Sequence, residues 1–296
     1  MARVLLTGAT GLTGRATLEC LMQAGHEVIA LTRKGRVAAA DRTLTCDLLD
    51  PAEASAALRA ADATNLVHLA WHDDPQDRWV SPVNLDWMAA TLQLVREFAR
   101  QGGQRVVCAG SCAEYDWSGS ELTEATPLRP ATPYGAAKAG TGLALCAAAH
   151  DLGLSLAWAR IFFVYGPYEP AGRLLGDLIG NLRRGKAVDC TDGTQKRDFL
   201  HVDDLARALT QLLASDVTGA INVASGTTLA VRDLIDEVAT QLDGSDLVRL
   251  GAIPRSAQDP DCLAADVTRL RDEVGFVPEH DVASGVAAVI AATAKR

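Results

Sequence analysis

Two groups of residues in this 296-residue chain are spaced for chemistry. Tyr134 and Lys138, in the run Tyr-Gly-Ala-Ala-Lys, stand four apart, which puts a phenol and an ammonium on one face of a helix. A tyrosine titrates near 10, so it exchanges protons at neutral pH only with help from a positive neighbour, and a tenfold change in its acidity takes about 1.4 kcal/mol. Lys138 supplies one such neighbour. Taken alone, the spacing also fits a surface helix with a snorkelling lysine. The second group is Thr7-Gly8-Ala9-Thr10-Gly11-Leu12-Thr13-Gly14. It follows a short apolar run and opens a helical pattern. Gly8 permits a tight turn, Gly11 lets a pyrophosphate approach the backbone, and Gly14 lets the helix pack closely. Thr10, Leu12 and Thr13 lie where the helix start offers unpaired N–H groups and a positive dipole end.

The elements that must position these groups alternate. Arg3 to Thr7 is β-like, and Arg15 to Ala24 has helical spacing. Glu27 to Leu31 is a second strand, Asp50 caps a helix over Pro51 to Ala61, and Asn65 to Ala70 is a buried strand. A long amphipathic helix over Trp87 to Arg100, a strand over Arg105 to Ala109, a helix over Tyr134 to His150 and a strand over Ser155 to Ile161 continue the series. The expected fold class is α/β, a Rossmann-type doubly wound parallel sheet. After Gly166-Pro167 strict alternation is lost. Helical stretches at Leu174 to Arg184 and Val202 to Leu213 follow a different rhythm. Residues 1–166 are therefore assigned to the dinucleotide domain and 167–296 to a smaller C-terminal α/β substrate domain, with part of 198–225 returning to the first.

Strand, glycine turn and helix in register predict a nicotinamide dinucleotide as cofactor, whose oxidised ring is a second positive neighbour for Tyr134. The second strand ends near Leu31, where an acidic residue would bind the adenosine ribose; here stand Thr32, Arg33 and Lys34. Arg33 suits a 2′-phosphate, which favours NADP over NAD, against the plainer reading of a solvated basic loop. Asp47, with Leu48 beside it, is placed to meet the adenine amino group, or is an ordinary loop carboxylate.

The formal charge of −9 and the lack of a basic block exclude a nucleic-acid partner. No apolar run is long enough for a bilayer, and the N-terminal one passes straight into the glycine loop without an export signal, so a cytoplasmic location and no membrane partner are expected. Seven scattered cysteines without CxxC spacing read as reduced thiols, and no metal is expected. Disorder is expected only in the Lys295-Arg296 tail.

The blocks TGATGLTG, CDLLD, VHLAW, GSCAEYDW, PYGAAK, ARIFFVYGP, KRDFLHVDDLA and INVASG resemble, in order and spacing across nearly the whole chain, the extended short-chain dehydrogenases/reductases. The likeness is greatest to the NAD-dependent epimerase/dehydratase group acting on nucleotide-linked sugars. The resemblance implies Tyr134 as catalytic acid/base, Lys138 on the nicotinamide ribose, and Ser111 on the reacting oxygen. It further implies Leu69 and Ala70 lining the cofactor cleft, Asn84 supporting the active-site helix, Arg197 on the nucleotide diphosphate, Arg173 as a second phosphate contact, and a homodimer built through the helices near Trp87 and Tyr134.

Departures from the family pattern bear on the reaction. Alignment on Tyr115 makes Ser111 the hydrogen-bonding residue, whereas alignment on the following Glu gives Cys112; a hydroxyl both donates and accepts, which favours Ser111. Where the 4,6-dehydratases carry Asp-Glu this chain has Ala113-Glu114, so dehydration lacks its acid. Ala113 also stands where the C3/C5-epimerising reductases use Cys. Phe163 replaces the asparagine of NVYGP, and Phe162, Phe163, Tyr165 and Tyr168 read either as apolar substrate walls or as core aromatics. His68, His72 and His201 read as structural. The leading expectation is an NADPH-dependent 4-ketoreductase of a nucleotide-activated 6-deoxy hexulose. The alternatives are an NAD-retaining nucleotide-sugar 4-epimerase and, from another class, a non-catalytic dinucleotide-sensing protein.

Overall fold

The computed structural model describes residues 2–169 and 172–293, so the Lys295-Arg296 tail lies outside the described residues. The chain begins with strand β1 (Arg3–Thr7), helix α1 (Leu12–Gln23), β2 (Glu27–Thr32), β3 (Arg42–Thr45), α2 (Pro51–Ala61) and β4 (Asn65–His68). It continues through α3 (Val83–Arg100), β5 (Arg105–Ser111), the short β6 (Glu121–Leu122), α4 (Pro133–Ala148), β7 (Ser155–Ile161) and β8 (Phe163–Tyr165). Then come α5 (Leu174–Leu182), β9 (Val188–Asp189), β10 (Lys196–His201), α6 (Val202–Ala214), β11 (Gly219–Val223) and β12 (Thr228–Ala230). The chain closes with α7 (Val231–Gln241), β13 (Val248–Arg249), β14 (Cys262–Ala265), α8 (Thr268–Asp272) and α9 (Val282–Thr293).

Among the described residues, seven strands form one parallel sheet in the order β11-β7-β5-β4-β1-β2-β3. Its central strands β1 and β5 carry near-continuous apolar runs, as strands covered on both faces must. Leu18, Leu21, Leu205, Leu209 and Leu212 of α1 and α6 bury one face, while Leu58, Leu94, Phe98 and Leu145 of α2, α3 and α4 bury the other. The strand order reverses between β1 and β4, and ligands of open α/β sheets bind outside the strand ends at that point. α6 packs on α1 and β11 extends the main sheet, although both follow the change of rhythm. A second sheet, β12-β10-β14-β6 with β8 on β10, stands beside the carboxyl ends of the first, and α5, α7 and α9 share their own apolar cluster around Leu178, Ile235 and Val286.

Several boundaries differ from the sequence expectation. α1 starts at Leu12 rather than Arg15, because the glycine turn feeds the helix directly, and α3 starts at Val83 behind Pro82, whose fixed φ of −63° leads into the first turn. Asp50 does cap α2, accepting from the N–H groups of Ala52 and Glu53 at 2.8 and 3.2 Å. Cys46, Cys108, Cys112 and the other four cysteines are all free thiols.

Candidate active site

The glycine turn is shaped by contacts only glycine allows. Gly8 has φ +74°, and a Cβ there would lie 2.8 Å from the N–H of Ala70 at the end of β4. A Cβ on Gly14 would overlap the carbonyl of Gly8, so α1 presses directly on the turn. Gly11 is different: a Cβ there would meet nothing of the protein closer than 3.5 Å, so its freedom serves the open side of the loop. Gly11 also leaves the first N–H groups of α1 without a side-chain cap, and no acidic residue occupies the first turn. Uncapped donors at a helix start, beside a bare backbone cradle, fit a pyrophosphate.

That cradle floors a cleft of about 910 Å³. Gly8, Thr10, Gly11, Leu12, Thr13 and Gly14 form its floor, and Leu69 and Ala70 its inner wall. Arg33, Asp47 and Leu48 line the end beside β2 and β3, and Arg173 the opposite side. Arg33 is exposed to the cleft. Asp47 uses one carboxylate oxygen to accept the N–H of Leu49 at 3.0 Å, which turns the chain out of β3. Arg173 faces Asp73 at 3.6 Å and keeps a buried Nε without a hydrogen-bond partner.

Tyr134 and Lys138 ride on the first turns of α4, which Thr132 caps by accepting the Gly135 N–H at 3.1 Å. The Tyr134 ring meets the edge of Trp79 at 5.2 Å between centroids. Burial pushes the phenol up to about 12, while a hydrogen bond with Ser111 pulls the other way. Tyr134 is thus protonated at neutral pH. Lys138 is buried, donates to the carbonyl of Ala109 at 2.8 Å, and lies 3.8 Å from the face of Trp71. Burial lowers its pKa to about 7, with Glu114 acting in the opposite direction.

Ser111 ends β5, and its hydroxyl accepts the Ala113 N–H at 3.2 Å. Cys112 points elsewhere, packed with Tyr115, Leu122, Phe162 and Leu263 in an apolar cluster where burial pushes its thiol to about 12. Of the two residues that alignment left open, Ser111 turns its hydroxyl toward the Tyr134 phenol, while the Cys112 thiol acts on that phenol only as a nearby charge.

Glu114 is fully buried. Its carboxylate accepts from the Ser111 N–H at 2.7 Å, Trp158 Nε1 at 2.9 Å and Arg160 Nε at 2.9 Å. A carboxylate enclosed in this way is not free to remove a substrate proton. No local pattern around Glu114 signals this cage, since two of its donors lie on β7, 44 and 46 residues away. Trp71 is equally hidden as a functional residue, although it belongs to VHLAW and its Nε1 donates to Asn84 at 2.8 Å. Asn84 also donates to the carbonyls of Arg78 and Ser81, so it acts through the loop bearing Trp71 and Trp79 rather than on α4 directly.

Arg197 stands apart from the cleft. On β10 it donates to the carbonyls of Lys196 and Pro260, pairs with Asp259, and lies 5.5 Å over Phe163. Arg255, which sequence reasoning did not single out, shares Asp259 at 3.4 Å. Phe162 and Tyr165 are core aromatics, not substrate walls: both are buried, in separate apolar clusters. Tyr168 is exposed, 5.7 Å from the guanidinium of Arg15. His72 pairs with Asp77 at 2.7 Å, and His201 caps α6 with its ring against Tyr165.

His68 joins β1 to α3. Thr7 Oγ1 accepts the N–H groups of Leu69 and Ala70, so its own proton goes to His68 Nδ1 at 2.8 Å, and Nε2–H then donates to Thr91 at 3.0 Å. Burial lowers the imidazole pKa to about 3. A histidine depressed below its unfolded value near 6.5 contributes stability that is complete above that pH and lost as pH falls toward 3. The loss from this residue is ~3 kcal/mol by pH 4.5. Urea unfolding of the native protein and of His68→Gln between pH 6.5 and 4.5 is expected to show the steeper decline in the native chain; parallel curves would mean the ring is not buried in its neutral form.

Residues 4–224 match the NAD dependent epimerase/dehydratase family. UDP-glucose 4-epimerase of Corynebacterium glutamicum is 26% identical, the match covering 94% of this chain and 91% of that one. dTDP-4-dehydro-6-deoxy-D-allose reductase of Streptomyces bikiniensis is 28% identical over 93% and 91% of the two chains. Among solved structures, MoeE5 in complex with UDP-glucose and NAD superposes with a TM-score of 0.84 at 28% identity, covering 99% of this chain and 98% of that one. No helix among the described residues is long and apolar enough to cross a membrane. With the glycine cradle at the switch point and Ser111, Tyr134 and Lys138 gathered at the ends of β5 and α4, the chain belongs to the NAD-dependent epimerase/dehydratase family and is an NAD(P)-dependent enzyme of the extended short-chain dehydrogenase/reductase type.

Proposed function

We propose that this protein is an NADPH-dependent 4-ketoreductase of a nucleotide-activated 6-deoxy hexulose, working in the cytoplasm. The observation that carries the cofactor and the direction is the basic end of β2: Arg33 and Lys34 face the cleft where a ribose-binding carboxylate would exclude a 2′-phosphate. When bound, the dinucleotide supplies the hydride. Tyr134, protonated at neutral pH, gives its proton to the C4 oxygen as the alkoxide forms. Ser111, whose hydroxyl faces that phenol, would orient the same oxygen, and Lys138, set between the Ala109 carbonyl and Trp71, would hold the ribose. The enclosed Glu114 is not available as a base for dehydration. Arg173, with its unpartnered Nε, is assigned to a phosphate of the bound nucleotides; Arg197, apart from the dinucleotide cleft, is assigned to the substrate's diphosphate on the family resemblance alone, which requires its pair with Asp259 to open. The dimer is assigned to α3 and α4, whose Leu85 and Leu143 are exposed.

Fluorescence titration with NADPH and NADH, after a check for cofactor carried through purification, tests this reading. NADPH is expected to bind at least tenfold tighter, about 1.4 kcal/mol. Arg33→Ala should abolish the difference. Retained NAD(H), with turnover that needs no added cofactor, favours the second reading, a 4-epimerase, to which the Corynebacterium relative lends weight.

A further inference from the structure

A second, smaller cavity of about 180 Å³ lies apart from the dinucleotide cleft, walled by Trp79, Ala113, Tyr115, Trp117 and Thr132, with Arg129 at its rim. Its walls are the immediate neighbours of the reacting groups. Ala113 donates its N–H to Ser111, Thr132 caps the helix that bears Tyr134, and Trp79 lies edge-on to the Tyr134 ring.

The cavity is apolar in its chemistry as well as its composition. The Tyr115 hydroxyl donates to Asn222 at 2.6 Å and accepts from Arg160 at 3.0 Å. Trp117 Nε1 donates to the Cys112 carbonyl at 2.8 Å, and the Thr132 oxygen accepts the Gly135 N–H. Arg129 is exposed and turned toward Asp116 at 3.6 Å. A hydroxyl lodged between the tryptophans would lose its water and meet mostly ring faces and the engaged Tyr115 and Trp117 groups, whereas an alkyl carbon would lose nothing. Trp79 adds an independent sign. Its ring is 39% exposed, yet the loop that carries it is fixed by Asn84 and by the Tyr134 N–H on the Trp79 carbonyl at 3.2 Å. Trp79 is thus held at the cavity mouth with part of its ring open to whatever enters.

We propose that this cavity receives the methyl-bearing C5–C6 edge of a 6-deoxy sugar, and that Trp79 and Trp117 select against the 6-hydroxy counterpart. The volume suits that edge of a pyranose ring better than a methyl group alone, being more than ten times the ~10–15 Å³ that one water requires. This inference rests on the nucleotide-sugar reading and deepens it.

The test is calorimetric binding to the full chain saturated with NADP⁺, using dTDP-glucose against dTDP-6-deoxyglucose, and the corresponding UDP pair. In whichever pair binds, the 6-deoxy member is expected to bind roughly 10- to 100-fold tighter. Trp79→Gln, at a half-exposed position, should shrink that gap to about threefold or less, and Ala113→Ser should shrink it by giving the 6-hydroxyl a partner. Equal binding of both members by the native protein overturns the assignment of the cavity and leaves the nucleotide-sugar reading standing. If neither pair binds while NADP⁺ does, the nucleotide-sugar reading itself fails and the cavity assignment falls with it.

Discussion

Replacing Tyr134 by Phe is expected to lower kcat by roughly 10²- to 10⁴-fold while leaving dinucleotide affinity within about threefold of the native value. The substitution removes one oxygen. The ring keeps its edge contact with Trp79, Thr132 still caps α4, and Lys138 is still held by Ala109 and Trp71, so the dinucleotide side of the site is untouched. What is lost is the O–H that meets Ser111, at the position where a developing alkoxide needs a proton. Stopped-flow reduction kinetics and NADPH titration on the same preparation separate the two effects. A variant that turned over within tenfold of the native rate would place the proton donor elsewhere. If the native protein bound dinucleotide but reduced no nucleotide-linked ketose, the non-catalytic sensing reading would take the place of both enzymes.

The dinucleotide half of this site was legible because its chemistry is written in consecutive residues. Gly8, Gly11 and Gly14 act through local backbone geometry, so a strand before them and a helix after them suffice to expect the turn between the two. The pair Tyr134 and Lys138 was legible for a similar reason, helical periodicity. Other features depend on contacts between distant segments and left no local trace. Nothing near Cys112 shows that its thiol turns into the cluster with Phe162 and Leu263, which is the observation that favours Ser111. The second sheet was missed for the same reason. β6, β8, β10, β12 and β14 are two to six residues long, too short for a two-residue alternation to stand out, and they pair across the chain. Phe162 and Tyr165 show the limit from the other side, since an aromatic run reads alike whether it lines a pocket or fills a core.

The Glu114 cage sets the second large effect. Glu114→Ala is expected to cost about 3–5 kcal/mol of stability, because it leaves the Arg160 charge buried and unpaired. Arg160 has little recourse: its side chain is 6% exposed, and its other donors already reach Tyr115 and the Glu124 carbonyl. The N–H groups of Ser111 and Trp158 would be stranded as well. Against a total stability of about 5–15 kcal/mol this is a large fraction, readable as a fall in the urea midpoint at unchanged slope. Arg160→Met alone should also destabilise, by leaving the carboxylate enclosed, and the double variant Glu114→Ala with Arg160→Met should lose less than the sum of the two single losses. A coupling of about 2 kcal/mol or more in that cycle identifies one buried unit joining β5 to β7. Additive losses would mean that the two side chains act independently. The same cage holds the Ser111 backbone from below while the Ser111 hydroxyl meets Tyr134 above, so Glu114→Gln is expected to lower kcat more than it raises KM. A loss confined to stability, with kcat unchanged in the folded fraction, would separate the cage from the chemistry and leave Ser111 positioned by β5 alone.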